Sequence, residues 1–250
     1  LSVAYGTGEH AQISLAYGQF TQAPDTEFLR QTNRLDFERA QHFLANYQWT
    51  TKRFTFRVEA YHKRYKDLAL LRSGNSLLGD PNAIFSNHGE GYARGIDIFW
   101  RDKKALDKID YWITYSFLDT ERLYRDFATA LPPRFAAKHT AQTVVRASFF
   151  KRRLQLGGAF TYSSGRPFYF GPSHPKWSSA RTPDFYQLSF NASYVTSLFQ
   201  QFAVLYASLE NPFGWKNVTS YRFNQDYSRR RAVSPPLGRQ FFIGLFINIR

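Results

Sequence analysis

Apolar and polar residues alternate along most of this chain with a period of two. In the closing stretch, Gly238 to Arg250, the odd positions from Phe241 to Ile249 are all apolar, and the even positions mix two phenylalanines with glycine, asparagine and arginine. A period of two predicts a β-strand with two chemically different faces. Such a strand suits either the core of a soluble sandwich or a wall with lipid on one side and a lumen on the other.

The same alternation recurs in about eleven segments of roughly ten residues each, which is the length needed to cross a bilayer at a tilt. The predicted strands are Leu1 to Gly6, Ala11 to Phe20, Gln41 to Trp49, Arg53 to about Tyr65, Gly91 to Arg101, Ile109 to Thr120, His139 to Phe150, Leu154 to Ser163, Phe185 to Tyr194, Gln201 to Leu209 and the closing stretch.

The links between these strands are alternately short and long. The long ones are Thr21 to Ala40, Lys66 to Glu90, Glu121 to Lys138, Ser164 to Asp184 and Glu210 to Leu237. Short periplasmic turns and long external loops are typical of outer-membrane barrels, whereas a soluble sandwich has no reason to place every long loop at one end. The sequence therefore predicts an all-β protein, an antiparallel transmembrane β-barrel with its long loops outside the cell.

The segment Phe185 to Tyr194 has the clearest alternation and predicts which face meets lipid. The apolar set is Tyr186, Leu188, Phe190, Ala192 and Tyr194, and the polar set is Gln187, Ser189, Asn191 and Ser193. We expect the first set to face lipid and the second to face the lumen.

An odd strand count conflicts with a closed bacterial barrel, which has an even number of strands. We therefore expect the chain to be part of a larger barrel, and the absence of methionine, also at residue 1, agrees with this. Barrels of this kind often end on an outward aromatic residue. The next outward position here would follow Arg250, so we expect the chain to lack its final residue.

Composition favours a membrane wall over a soluble core. Aromatic residues make up 18% of the chain, with 25 Phe, 16 Tyr and 5 Trp, more than a soluble core needs but suited to girdles at two membrane interfaces. The mean hydropathy is -0.46 and no apolar run has the length of a transmembrane helix. The chain has no cysteine, which excludes a disulfide scaffold and thiolate metal sites. No signal peptide is visible.

The net charge of +14 first suggests nucleic-acid binding, but its distribution argues against that function. The basic runs are spread over turns and loops, and three of the four lie in short links: Lys52-Arg53, Lys103-Lys104, Lys151-Arg152-Arg153 and Arg229-Arg230-Arg231. Basic turns at a membrane surface, or a basic loop that faces anionic lipid or substrate, explain the charge better. No nucleic-acid partner is predicted.

Catalytic motifs are missing from the sequence. It contains no H-E-x-x-H, no G-x-S-x-G and no phosphate-binding glycine loop. A surface hydrolase built on His139 with Ser148 or His62 has no supporting motif. We therefore predict no enzyme, no cofactor and no metal site.

Several segments resemble the C-terminal half of the barrel of TonB-dependent outer-membrane receptors. They are Ser14 to Pro24 (S-L-A-Y-G-Q-F-T-Q-A-P), Asn87 to Asp97 (N-H-G-E-G-Y-A-R-G-I-D), Ser163 to Phe168 (S-S-G-R-P-F), Glu210 to Phe213 (E-N-P-F) and the closing G-R-Q-F-F-I-G-L. Each motif is weak alone, and their order makes the match specific over nearly all of the chain.

The resemblance implies a barrel of about 22 strands with an N-terminal plug inside. Residues 1–250 would then be the C-terminal part of the barrel domain, about half of its strands, with the plug and the first barrel half upstream. It also implies active uptake of a scarce ligand, an iron chelate, a cobalamin or an oligosaccharide, across the Gram-negative outer membrane. The implied partners are outer-membrane lipid and, through the upstream region, the TonB complex.

Candidate ligand contacts lie on the inward face and in one long loop. His42 and Tyr61 occupy inward positions, where His42 alternatively serves as a hydrogen-bonding residue of the lumen. In the tract Gly165 to Trp177, Arg166, Phe168, Tyr169 and Trp177 offer stacking and cation–π contacts, and the alternative is an aromatic loop packed on its neighbours. A free-standing porin-like channel and a soluble β ligand-binding module remain as alternative functions.

Overall fold

The fold is an open antiparallel sheet of eleven strands, seen in a computed structural model that describes residues 1–72, 84–106, 108–169, 180–224, 228–235 and 238–248. The sheet follows the order of the chain, and every neighbouring pair of strands is antiparallel. Its strands are β1 Ser2–Gly6, β2 Ala11–Gln22, β3 Glu38–Thr50, β4 Phe54–Arg72, β5 Ile84–Leu106, β6 Ile109–Leu123, β7 His139–Phe149, β8 Leu154–Ser163, β11 Phe185–Leu198, β12 Gln201–Glu210 and β15 Gln240–Ile247.

The remaining elements lie within the long links. A short helix, α1, spans Thr26–Leu29 between β2 and β3. Strands β9 Pro167–Phe168 and β10 Ala180–Arg181 pair in the link after β8, and β13 Ser220–Phe223 pairs with β14 Arg230–Val233 in the link after β12. The five short links all lie at the opposite end of the sheet.

The predicted strand count and the alternation of short and long links are confirmed, but the predicted loop from Lys66 to Glu90 is too long. β4 continues to Arg72 and β5 begins at Ile84. The run Leu68 to Leu71 is buried and does not alternate, and an irregularity at Asp67, where φ is 56°, shifts the register. An unalternating apolar run carries no strand signal, so the pattern alone placed it in a loop.

The register brings the apolar positions of all strands onto one face. Val3 lies beside Leu15, Leu15 beside Ala45, and Ala45 beside Ala60, and the row continues through Ile96 and Phe117. On the same face, toward the last strand, Phe190 lies beside Gly158 and Leu209. Side chains on this face are widely exposed, among them Phe190 with 47% of its surface accessible. An apolar patch of this extent needs a lipid environment.

Aromatic rings cluster at both ends of this outward face. Near the short turns, the ring of Phe54 lies 4.7 Å from that of Trp49 and 5.3 Å from that of Trp100. Near the long links, the ring of Tyr186 lies 5.4 Å from that of Tyr162 and 5.8 Å from that of Trp215. Clusters of aromatic rings at two levels match the two interfaces of a bilayer.

The first and last strands, β1 and β15, form the edges of the sheet and pair with one neighbour each. The sheet is therefore a wall that is not closed on itself. Within the described ranges, no helix is long and apolar enough to cross a membrane.

Candidate functional site: the inner wall at the long-loop end

Strand β5 presents a row of small residues on its inward face. Gly89, Gly91, Ala93 and Gly95 alternate along the strand, all within the N-H-G-E-G-Y-A-R-G motif. A Cβ at Gly95 would lie 2.5 Å from the hydroxyl of Tyr61 on β4, and one at Gly91 would lie 2.8 Å from Cγ of Arg122 on β6. Side chains from both neighbouring strands therefore fold over β5, which requires glycine at these positions.

Arg122 crosses Gly91 and stacks on Tyr65. Its guanidinium carbon lies 4.1 Å from the centre of the Tyr65 ring, and the rings of Phe135 and Tyr124 follow at 5.6 and 5.8 Å. Its backbone exchanges two hydrogen bonds with Leu131, which fixes its place. The Nε atom of Arg122 is buried and makes no hydrogen bond within the part of the chain that the structure describes.

Arg122 and Tyr65 line a cavity of about 540 Å³ on the inner wall, which we call the vestibule cavity. Lys63, Arg125 and His42 also line it, as do the acidic residues Asp25 and Glu38. Glu38 already accepts a hydrogen bond from the backbone amide of Ala69, at 2.9 Å. The vestibule cavity therefore combines aromatic faces with cationic groups, which suits an anionic or aryl-bearing ligand.

His42 and Tyr61, two of the predicted contacts, lie on the inward face close to this cavity. His42 lines it, half-buried, with its ring 4.6 Å from that of Phe20 and with Lys63 opposite it on β4. Tyr61 lies one inward position below Lys63, whose ammonium nitrogen is 5.2 Å from the Tyr61 ring. Ligand contact by either residue stays a prediction.

Arg125 holds one wall of the vestibule cavity in place. Its guanidinium binds Asp25 at 3.2 Å and Glu27 at 3.0 Å and lies 5.5 Å from the centre of the Phe28 ring in α1. Its backbone bonds to Ala69 and Leu71 at the far end of β4. Phe28 packs with Ala69 and Leu71 in a small buried cluster. The link that carries α1 is thereby fixed to the top of the wall.

The predicted contacts Arg166, Phe168 and Tyr169, in the loop after β8, do not line the vestibule cavity. Arg166 is exposed, and its backbone amide donates to the hydroxyl of Thr182, at 2.9 Å. Phe168 is 5% exposed, with its ring 4.6 Å from that of Tyr221 in β13. Tyr169 is 4% exposed, and its ring lies 5.3 Å from that of Phe127. Trp177 lies outside the described residues.

Phe168 and Tyr169 thus pack three long links against one another. This arrangement agrees with the alternative interpretation, an aromatic loop packed on its neighbours. The hydroxyl of Tyr169 donates a hydrogen bond to the carbonyl oxygen of Pro132. Burial raises the pKa of Tyr169 to about 12, because the phenolate loses its hydration there. Ligand contact by Arg166, Phe168, Tyr169 or Trp177 stays a prediction.

The E-N-P-F motif builds the turn that ends β12. Asn211 has a φ of 49°, and its side chain accepts from the backbone amide of Trp215 at 2.9 Å and donates to the carbonyl oxygens of Trp215 and Gly238. Gly214 follows with a φ of 68°, which favours glycine. The motif therefore has a structural role at the upper end of the wall.

The hydrolase arrangement considered from the sequence is not formed. His139 and Ser148 lie on the same strand at odd and even positions, so they point to opposite faces. The Nδ1 atom of His139 instead shares a hydrogen bond with the Tyr115 hydroxyl, at 2.8 Å. Among the described residues, no group of three or more acidic or histidine side chains is placed to hold a metal ion.

Sequence reasoning missed the residues that make the vestibule cavity distinctive. Arg122, Tyr124 and Arg125 were placed in the loop Glu121 to Lys138, whereas β6 runs to Leu123 and Arg125 bonds to β4. The signal that could have found Arg122 is its even position, which continues the inward set of β6. Tyr65 and Lys63 likewise continue the odd, inward set of β4.

Comparison with known proteins identifies the family. Residues 1–212 match the family model described as TonB dependent receptor-like, beta-barrel, and the chain belongs to this family. A search of curated proteins gave no match. The family consists of transport receptors of the Gram-negative outer membrane and not of enzymes, as the sequence predicts.

Solved structures agree with the fold. The ferric-catecholate import receptor Fiu of E. coli K12 is 13% identical with a TM-score of 0.70, and covers 98% of this chain while the chain covers 34% of it. The ferric yersiniabactin uptake receptor FyuA of Yersinia pestis is 15% identical with a TM-score of 0.68, and the match covers 98% of this chain and 36% of FyuA. The siderophore receptor PiuA of Acinetobacter baumannii is 15% identical with a TM-score of 0.71, and the match covers 98% of this chain and 34% of PiuA. The chain therefore spans about a third of the length of these receptors.

Proposed function

We propose that this chain is the C-terminal part of the barrel of a TonB-dependent receptor that takes up a scarce ligand, and that the ligand is an anionic iron chelate. The observation that carries the choice of ligand is the Arg122 guanidinium stacked on Tyr65 in the wall of the vestibule cavity. Cobalamin and oligosaccharides, the other two classes, have less need of several cations beside aromatic faces.

The surroundings of Arg122 support this choice. Lys63 also lines the cavity, where Arg125 is neutralised by Asp25 and Glu27, and where Glu38 accepts a hydrogen bond from the amide of Ala69. Loops and walls on a rigid scaffold are the usual place for recognition. Fiu, FyuA and PiuA carry siderophore or ferric-chelate descriptions, which favours the same ligand class here.

The proposed domain organisation follows from the same family. The plug and the first half of the barrel would lie upstream of residue 1, and the TonB complex would be contacted through that upstream region. Edges β1 and β15 would then pair with strands of the missing half. A porin-like channel or a soluble module would show neither a plug nor about eleven further strands in the upstream sequence, which makes that sequence the first check.

The ligand proposal is tested with the full-length receptor and the substitution Arg122→Gln. We expect binding of anionic ferric chelates to weaken by about tenfold, because a cation held against aromatic rings and shielded from water contributes on the order of 1–2 kcal/mol. The matched control is Arg64→Gln, at the same height of β4 but on the outward face.

Three ligands separate the classes: an anionic ferric chelate, cobalamin and a neutral oligosaccharide. The proposal holds if only the ferric chelate binds to the wild-type receptor and Arg122→Gln alone weakens it. Equal loss with Arg64→Gln, or binding of cobalamin or oligosaccharide in place of the chelate, would contradict it. Ligand uptake in cells that lack TonB tests separately whether transport depends on TonB, and we expect uptake to be lost in those cells.

A further inference from the structure

A groove with a volume of about 730 Å³ lies on the outward face of β1 to β4. Ala45 and Ala60 form its floor, where they lie side by side in the register, and both are exposed. Larger outward side chains border them. Leu15 lies beside Ala45 on the next strand, and Phe43 lies one outward position nearer the long links. We call it the alanine groove.

Aromatic rings close the end of the alanine groove that lies toward the long links. The ring of Tyr17 lies 4.9 Å from that of Phe43, and the Phe43 ring lies 6.4 Å from the imidazole of His62 on β4. All three side chains line the groove. His62 is the first polar side chain beyond the alanines on the outward face of β4. The groove therefore fits a molecule that is apolar along most of its length and polar at this end.

Two cations follow His62 on the outward face. Arg64 and Lys66 occupy the next two outward positions of β4, and both are exposed. The Nε atom of Arg64 donates a hydrogen bond to Nε2 of His62, at 3.3 Å. Neither Arg64 nor Lys66 forms a salt bridge with any residue that the structure describes.

The carboxylates on this part of the wall do not neutralise the two cations. Asp67 binds Arg39, and Asp119 binds Arg94 at 2.8 Å. Glu121, the next outward position of β6, is separated from both cations by strand β5. Because like charges at adjacent outward positions repel each other, an anion between the two cations is favourable.

Arg64 and Lys66 lie at the height of a membrane interface. Arg64 follows Phe54, in the aromatic cluster near the short turns, by ten residues. Ten residues at about 3.3 Å each, tilted by about 40°, rise roughly 25 Å, which is the height of the apolar band of a membrane barrel. The alternation of short and long links predicts that this end faces the cell exterior. The cations would then lie among the headgroups of the outer leaflet, and the alanine groove among its acyl chains.

We propose that this part of the wall binds one phosphorylated lipid of the outer leaflet. Its phosphate accepts charge-assisted hydrogen bonds from the Arg64 guanidinium and the Lys66 ammonium, and one of its acyl chains lies in the alanine groove. A lipid without phosphate would leave both cations unpaired. The site goes beyond the proposed function, because it lies on the opposite face of the wall from the vestibule cavity.

The test is native mass spectrometry of the full-length receptor in detergent, with diphosphoryl lipid A or its dephosphorylated form added. We expect the wild type to retain one molecule of diphosphoryl lipid A and much less of the dephosphorylated form. Arg64→Gln should weaken this retention about fivefold, because it removes one cation beside the anionic headgroup. The matched control is Arg57→Gln, on the inward face of the same strand, which should leave retention unchanged.

A second pair of variants tests the place of the acyl chain. Ala60→Phe fills the alanine groove and should lower retention of diphosphoryl lipid A about threefold or more, because less apolar surface is buried. Ala192→Phe, at an outward alanine of β11 that does not line the groove, should leave retention unchanged. Heat-modifiable mobility checks that all four variants fold.

Three results would overturn the proposal: equal retention of the two forms of lipid A, equal retention by Arg64→Gln and Arg57→Gln, or no effect of Ala60→Phe. A receptor dimer that Ala60→Phe dissociates would also overturn it, since the groove would then bind a second copy of the wall. No ferric chelate is present in the measurement, so its outcome is independent of the proposed ligand class.

Discussion

The side-chain amide of Asn217 binds both backbone polar groups of Tyr186. Its Oδ1 atom accepts from the Tyr186 amide at 3.0 Å, and its Nδ2 atom donates to the Tyr186 carbonyl oxygen at 2.7 Å. Pairing between β11 and β12 begins only at Ser189, and Asn211 donates its backbone amide to Leu188. Asn211 and Asn217 therefore extend the hydrogen-bond ladder of β11 beyond the end of β12.

The substitution Asn217→Asp should destabilise this end of the wall. Aspartate keeps the acceptor for the Tyr186 amide but removes the donor to its carbonyl oxygen, and Asn217 is 8% exposed. Leaving a buried polar group unpaired costs about 1–3 kcal/mol. Hydrogen exchange of the full-length receptor should show faster exchange at residues 186–188. Asn224→Asp, in an exposed hairpin, is the control, and equal exchange rates in both variants would contradict the assigned role.

Gly95→Ala tests the close packing of β4 over β5. The added Cβ would meet the Tyr61 hydroxyl at 2.5 Å and the carbonyl oxygen of Phe117 at an even shorter distance. Overpacking of this kind costs about 1–3 kcal/mol, measured as a lower urea midpoint of the full-length barrel. Gly8→Ala, where a Cβ would meet nothing within 4 Å, should leave the midpoint unchanged. A midpoint that Gly95→Ala does not lower would rule out the packing described.

The pKa of about 12 for Tyr169 predicts a pH dependence of the contacts between the long links. The folded pKa lies above the ordinary value of about 10, so the unfolded phenol ionises first. The contribution of Tyr169 to stability is therefore fully present below pH about 10 and is lost as the pH rises through 12. Protease sensitivity of residues 124–138 should rise across this window, and Tyr169→Phe should abolish that rise. An unchanged pH profile in Tyr169→Phe would contradict the role of the phenol.

Protease added to intact cells tests the orientation of the wall. We expect cleavage in the long links, for example in residues 211–219, because the alternation of short and long links predicts that these lie outside the cell. The turn Thr50 to Lys52 should stay intact until the outer membrane is permeabilised. Cleavage at that turn in intact cells would reverse the topology.

The alternation of side chains made most of the wall predictable from sequence. Each strand from β1 to β6 carries its own period-two signal, and the register aligns the apolar positions of these strands into the row from Val3 to Phe117. The same reasoning could not foresee the extensions of β4 and β5, because Leu68 to Leu71 are all buried, Ala69 and Leu71 against Phe28 of α1, and no longer alternate.

The candidate site was predictable only in part. His42 and Tyr61 lie inside strands, so their inward position follows from parity. Arg122 and Arg125 depend on contacts across the wall, with Tyr65 and with Asp25, that no local pattern encodes. The small residues of β5 form a motif that is visible in the sequence. The contact of Arg122 with Tyr65 over Gly91 follows only from the register of β5 and β6.

The central claim is that one face of this sheet meets lipid and the other the lumen, and neighbouring residues of β11 test it most directly. Phe190 lies in the apolar row beside Gly158 and Leu209, and Asn191 lies in the inward row beside Gly157 and Ser208. The measurement is the free energy of folding of the full-length receptor into lipid vesicles, with arginine at each position in turn. We predict a loss of about 2–4 kcal/mol for Phe190→Arg and a much smaller loss for Asn191→Arg. Equal losses at the two positions, or a larger loss at Asn191, would contradict the account.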